Sequence, residues 1–385
     1  MIPYGRQWID DADIQAVVDT LRSDWLTQGP AVGKLEAAFA ELCRLPHAVA
    51  VNSATSALHI ACLAIGAGPG DVVWTVPNTF VASANCARLC GADVDFVDID
   101  PRTYNISVSA LERKLREAKA AGRLPKAVIP VHFSGRAPDQ EAIWALAKDY
   151  GFRVIEDASH SVGASHGGEP IGSCRWSDIA VFSFHPVKIV TTAEGGLATT
   201  RDPALAERMA LFRSHGVTKD ELLLTNKNEG GWYYEQVALG LNYRLTDLQA
   251  ALGLSQLRRI EAFLRRRREL VARYDRLLAD LPVTRPLVDL IDESAWHLYV
   301  IRIDPSRAGT TRRQVYDAMR AAGIGVQVHY IPVHLQPYYR ALGFKPGHCP
   351  EAERYSEEAL SLPLYPALTD KEQELVVAAL KQSLS

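Results

Sequence analysis

Residues 179–200 read IAVFSFHPVKIVTTAEGGLATT, and the reading of this stretch decides the fold. The apolar run 179–184 reads as a buried strand, and residues 197–200, after Gly195-Gly196, read as a second short strand. Lys188 therefore sits on a connection between two strands. A lysine forced into a low-dielectric pocket loses part of its preference for the charged form, so it can act as a nucleophile toward an aldehyde. An ordinary solvated loop lysine has the same local sequence, and the rest of the chain has to supply the context.

Working outward, residues 48–51 form a short strand, followed by Asn52-Ser53-Ala54-Thr55-Ser56 and a helical run over 57–65. Free backbone N–H groups and hydroxyls at a helix N-terminus suit a phosphate. Simple N-capping by Ser53 or Thr55 accounts for the same residues. Strands over 72–76, 94–98, 126–133 and 152–155 alternate with helices over 80–90 and 139–150. This alternation predicts an α/β fold with a mostly parallel central sheet and helices on both faces. Ligands gather at the carboxyl ends of such strands.

Asp157 lies at one of those ends, in VIEDASH, where a carboxylate can pair with a protonated ring nitrogen or cap a following helix. Phe80, just past another strand end, offers a face for stacking a planar ring, or is a core residue. An amine, a ring-nitrogen partner, a stacking face and a phosphate cradle together are what pyridoxal 5'-phosphate requires.

Upstream, an amphipathic helix over 11–21 ends at a loop over 26–30, and a second runs over 34–42. Downstream, a long charged helix spans 257–278, where the four arginines 265–268 read as a solvated face. We place the domain change there, with residues 1–255 a large cofactor-binding domain and 256–385 the connecting helix and a small C-terminal α+β domain. The latter is expected to hold strands over 297–303 and 326–330 and helices over 311–321 and 370–384.

Composition narrows the function. The chain has 385 residues, 48% of them apolar, and a formal net charge of −3, so it has a sizeable core and no basic field for nucleic acid. No apolar stretch approaches the roughly 18 residues of a membrane span, and MIPYGR lacks the apolar core of a signal peptide, which predicts a cytoplasmic protein. Six cysteines without CxxC spacing read as reduced thiols, and the histidines form no metal-binding spacing.

Taken together, LTQG at 26–29, NSATSAL at 52–58, NTFVA at 78–82, EDASH at 156–160, SFHPVK at 183–188, EGG at 194–196, RSHG at 213–216, GLNYR at 240–244 and QVHY at 327–330 resemble the DegT/DnrJ family of fold-type I sugar aminotransferases. The resemblance covers nearly the whole chain. It implies that Lys188 holds the cofactor through its amine and shuttles a proton, that Asp157 pairs with the pyridine nitrogen, and that Phe80 stacks on the ring. It further implies that Ala54, Thr55 and Ser183 bind the phosphate, that His160 belongs to the cofactor site, and that Asn242 reaches across from a partner subunit. A homodimer with composite sites follows, with Tyr4, Asp24, Trp25, Leu26, Thr27, Gln327, His329 and Tyr330 facing a nucleotide sugar. Ala54 stands where many relatives have glycine, and Ile189 where many have a polar residue.

Within the family, residues 2–5, 224–235 and 244–256 resemble the transaminases of pseudaminic acid biosynthesis. That implies amino transfer from L-glutamate to the C4 ketone of UDP-4-keto-6-deoxy-N-acetyl-β-L-altrosamine. The alternatives are another UDP- or dTDP-linked 3- or 4-keto-6-deoxy sugar, or a non-catalytic cofactor-binding regulator.

Overall fold

The computed structural model describes residues 1–227 and 229–384; Asn228, inside the 224–235 stretch, and Ser385, the last residue assigned to the small domain, lie outside the described residues. Seven strands form the central sheet: β1 (His47–Val51), β2 (Val72–Thr75), β3 (Asp93–Phe96), β4 (Ala127–Ile129), β5 (Arg153–Asp157), β6 (Ile179–Ser183) and β7 (Gly196–Thr200). Their order is β1-β7-β6-β5-β4-β2-β3. Neighbours from β6 through β3 run parallel, whereas β7 runs antiparallel to both β1 and β6. The β6–β7 connection, residues 184–195, holds no helix and returns the chain beside the strand it left, which gives the reversal. Every residue of β6 and β7 is buried, as expected for strands covered on both faces.

Helices Pro30–Cys43, Ala54–Ala64 and Pro203–Arg213 pack on the β1-β7-β6 edge. The main core joins sheet residues such as Val73, Ile129, Ile155 and Val181 to Leu58 and Ile60 of the helix Ala54–Ala64. A second core gathers Leu270, Tyr274, Ile301, Val315, Leu360 and Val376. It lies among the helices Ile260–Leu277, Arg312–Ala321 and Asp370–Ser383 and the antiparallel strands Tyr299–Arg302 and Ala359–Leu362.

The long charged helix stands as expected, at Ile260–Leu277, and is preceded by a helix the sequence reading left out, Asp247–Leu257, opened by a capping box from Thr246 and closed at Arg258. Two expectations need correction. Residues 326–330 do not form a strand; they make a single bridge, Gln327 to Ser361. The arginines 265–268 are not all solvated. Arg267 is 1% exposed and shares its helix face with Phe263, Leu264, Leu270, Val271 and Tyr274. Its Nη1 donates to the carbonyls of Trp296 (3.1 Å), His297 (3.3 Å) and Leu364 (3.0 Å). Among the described residues it has no carboxylate partner, and burial pushes its guanidinium down to about 9.

The six cysteines are free, five buried and Cys90 half-buried. Among the described residues no helix is long and apolar enough to cross a membrane.

Candidate active site

A cavity of about 650 Å³ opens where β1, β5 and β6 end and β7 begins, and residues 327–330 and Tyr4 close it from the other side. A larger open groove of about 980 Å³ runs along β3, but it contains none of the residues that the motifs single out. Of its cations, Lys114 is engaged by Asp95 at 2.8 Å and Arg88 by Asp93 at 2.9 Å.

The cradle comes from the register of the sheet edge. Gly196 of β7 pairs with Val51 of β1 on one side and Ser183 of β6 on the other. Just beyond Val51 the chain turns into the helix Ala54–Ala64, where the Ser53 side chain caps by accepting from the Ser56 amide. The amides of Ala54 and Thr55, at the first two helical positions, have no intrahelical acceptor. A Cβ on Gly196 would lie 2.4 Å from Ala54 N and 2.4 Å from Ser53 C, so only glycine lets β7 approach the helix start this closely. Two amides at the positive end of a helix, beside the Ser183 hydroxyl, suit a phosphate. The residues present therefore fit the phosphate of a pyridoxal group.

Asp157 is the last residue of β5 and only 5% exposed. Its Oδ2 accepts from Ser83 Oγ at 2.6 Å and its Oδ1 from the Ser159 amide at 3.1 Å. Lys188 lies on the loop between β6 and β7, and its amide donates to His185 O at 2.9 Å. The loop is tied at its neck by Phe184 N to Gly195 O (2.9 Å) and Thr192 N to Phe184 O (3.0 Å). Burial pushes the Lys188 amine down to about 8, with the Asp157 charge partly opposing the shift. Phe80 is 60% exposed on the cavity wall, a large apolar face without a covering partner in its own chain.

Three cavity histidines are held neutral. His160 Nδ1 accepts from the Ser134 amide at 3.2 Å, so in the neutral ring the hydrogen is assigned to Nε2, which meets Tyr330 Oη at 3.3 Å. Burial, then the nearby Lys188 charge, keeps His160 well below its ordinary value. His297 packs against it with ring centroids 4.3 Å apart and the planes tilted by 42°, and is lowered for the same leading reason. His329 bonds Ser361 Oγ through Nδ1 at 2.8 Å and is pushed down to about 3 by burial and Lys188. Besides these three histidines, the basic side chains on the cavity lining are Lys188 and His185, together with the acidic side chains of Asp157 and Glu194.

Of the residues singled out from the sequence, Tyr4, Ala54, Thr55, Phe80, Asp157, His160, Ser183, Lys188, Gln327, His329 and Tyr330 line this cavity. Asp24, Trp25, Leu26 and Thr27 do not; they are exposed, and Thr27 bridges to Thr246. Asn242 is exposed as well, bridged to Ser214 outside the cavity of its own chain. Sequence reasoning missed Thr79, Ser83, Glu194 and His297. For Thr79 and Ser83 the available signal was the four-residue spacing that brings two hydroxyls to one side of a helix start.

A family model described as the DegT/DnrJ/EryC1/StrS aminotransferase family matches residues 7–381. The spore coat polysaccharide biosynthesis protein SpsC of Bacillus subtilis is 41% identical over 383 residues, spanning 99% of this chain and 96% of the relative. Among solved structures, Helicobacter pylori PseC, an aminotransferase involved in the biosynthesis of pseudoaminic acid, superposes with a TM-score of 0.90 at 31% identity, covering 100% of this chain and 99% of that one. Spr1654 of Streptococcus pneumoniae in its PLP form gives a TM-score of 0.89 at 31% identity, covering 100% and 98%. The same protein in its PMP form also gives 0.89 at 31%, covering 100% and 99%.

Proposed function

The chain belongs to the DegT/DnrJ/EryC1/StrS aminotransferase family and uses pyridoxal phosphate, and from that premise we propose that it moves the amino group of L-glutamate to the C4 ketone of UDP-4-keto-6-deoxy-N-acetyl-β-L-altrosamine. Glutamate leaves as 2-oxoglutarate and the sugar leaves as the 4-amino product. The observation that carries amino transfer is the placement of Lys188, Asp157 and the Ser183–Ala54–Thr55 cradle around one cavity.

The cofactor, when bound, supplies an electron sink. Ala54 and Thr55 amides and the Ser183 hydroxyl would hold its phosphate, Phe80 would stack on its ring, and Asp157 would pair with the ring nitrogen. Lys188 Nζ, lowered to about 8, has a proton affinity matched to taking and returning a proton near neutral pH. His160, His297 and His329, held neutral, do not compete for that proton. A homodimer is part of this reading: a second copy brings Asn242 to the phosphate and residues 24–27 to the sugar nucleotide.

The pseudaminic acid substrate is supported by the likeness to H. pylori PseC and by residues 2–5, 224–235 and 244–256. A second reading, amino transfer to a different nucleotide-linked keto sugar, is favoured by the 41% identity to SpsC. The test is the absorbance of the cofactor-loaded protein before and after L-glutamate, followed by a chase with a panel of keto sugars. Loss of the bound-cofactor band with glutamate and its return with this UDP sugar alone supports the first reading. Return with another sugar selects the second, and no response to glutamate removes amino transfer altogether. Lys188→Ala is expected to bind the cofactor without covalent attachment and to lose turnover.

A further inference from the structure

Asp157 is supported from behind by a two-step hydroxyl relay. Ser83 Oγ lies 2.6 Å from Asp157 Oδ2, and Thr79 Oγ1 lies 2.8 Å from Ser83 Oγ. All three side chains are shut away from water, at 0%, 3% and 5% exposure for Ser83, Thr79 and Asp157. An ionised carboxylate only accepts, so Ser83 donates to it; Ser83 Oγ is then left to accept, so Thr79 donates to Ser83. Among the described residues the other acceptors within reach of the Ser83 hydroxyl are Thr79 Oγ1, a neutral hydroxyl that draws the hydrogen less than a carboxylate does, and Phe80 O at 3.4 Å, much the poorer bond. The hydroxyl dipoles therefore point the same way, each polarising the next toward the carboxylate.

We propose that Ser83, oriented by Thr79, is a positioning residue that determines where the proton shared by Asp157 and the cofactor's ring nitrogen resides. The proposal rests on the reading above, in which Asp157 faces that nitrogen. Donors from Ser83 and from the Ser159 amide stabilise the ionised carboxylate, one on each oxygen, and leave the remaining lone pairs for the cavity. With the carboxylate ionised, the proton stays on nitrogen and the ring keeps its full electron-withdrawing power. Without the Ser83 donor the carboxylate becomes more basic, and the proton moves from nitrogen to oxygen with no other bond changed. The other titratable groups coupled to Asp157 are the Lys188 amine and the Tyr330 phenol, and neither touches the relay.

The experiment loads the full-length protein with pyridoxal phosphate labelled with nitrogen-15 in the ring and follows the nitrogen chemical shift against pH. Ser83→Ala is expected to lower the protonated fraction of the ring nitrogen at neutral pH, by a shift of about ten-fold toward oxygen in the equilibrium between the two sites. Thr79→Val, which keeps the shape of Thr79 and the direct Ser83–Asp157 bond, is expected to move that fraction the same way by less. Ser83→Thr, which retains the hydroxyl, is expected to restore it. A nitrogen chemical shift at neutral pH unchanged in Thr79→Val and in any Ser83→Ala protein that takes up cofactor overturns the relay while leaving the Asp157 reading intact. A nitrogen that is already unprotonated at neutral pH in the unsubstituted protein, and unaltered in Asp157→Asn, overturns both.

Discussion

Gly196 lies so close to the start of the helix Ala54–Ala64 that a Cβ there would sit 2.4 Å from the Ala54 amide nitrogen. The contact is backbone against backbone, so no side chain can swing aside to relieve it. Gly196→Ala is expected to push β7 off the helix start and weaken pyridoxal phosphate binding at least ten-fold, measured by equilibrium dialysis. Gly33→Ala, where a Cβ meets nothing within 4 Å, is the control that leaves affinity unchanged.

Phe80 separates cofactor binding from folding. Because it is 60% exposed, Phe80→Ala removes little buried surface and the thermal midpoint of the cofactor-free protein is expected to stay put. A ring stack contributes about 0.5–1.5 kcal/mol beyond area burial, which predicts a loss of about 2- to 13-fold in cofactor affinity. Fluorescence titration of the variant checks both halves.

The Lys188 amine is lowered from 10.5 to about 8. Capture of pyridoxal phosphate needs the neutral amine, so the capture rate is expected to rise with pH and to level off above about 8. Burial lowers the value and the Asp157 charge raises it. Asp157→Asn removes only the raising influence, so the midpoint of the capture profile moves further down. Stopped-flow absorbance across pH 6 to 10 reads both curves, and a midpoint near 10.5 would contradict the burial of the amine.

Arg267 bonds three carbonyls and reaches no carboxylate among the described residues. Arg267→Leu suits the apolar face of its helix but leaves those carbonyls without their donor, at an expected cost of about 3–5 kcal/mol. Because two of the carbonyls belong to Trp296 and His297, the loss is expected to reach the cavity wall as well. Urea unfolding of the cofactor-free protein measures the first effect and cofactor affinity the second.

That Lys188, Asp157 and residues 53–55 come together could be read from the sequence because each sits at or beyond a strand end in an α/β alternation, and topology alone carries such positions to one end of the sheet. Arg267 was misread because a run of four arginines hides the spacing of its neighbours. Phe263, Leu264, Leu270, Val271 and Tyr274 define a buried face that passes through the third arginine. Residues 326–330 alternate like a strand, yet pairing depends on what lies alongside, and only Gln327 finds a bridge. The Thr79–Ser83 spacing is a local pattern, but the bond from Ser83 to Asp157 joins positions 74 residues apart, and nothing local announces it.

The rung that pairs Val51, Gly196 and Ser183 has a consequence for how the molecule is made. Ser183 and Gly196 are joined by one short loop, but Val51 comes from a distant part of the chain, so closing its side of the rung costs loop entropy that local helices never face. The phosphate cradle does not exist until that closure is complete. Cofactor uptake during refolding should therefore lag behind the recovery of helical signal, making the coenzyme a reporter of the last stage of assembly rather than a template for the first.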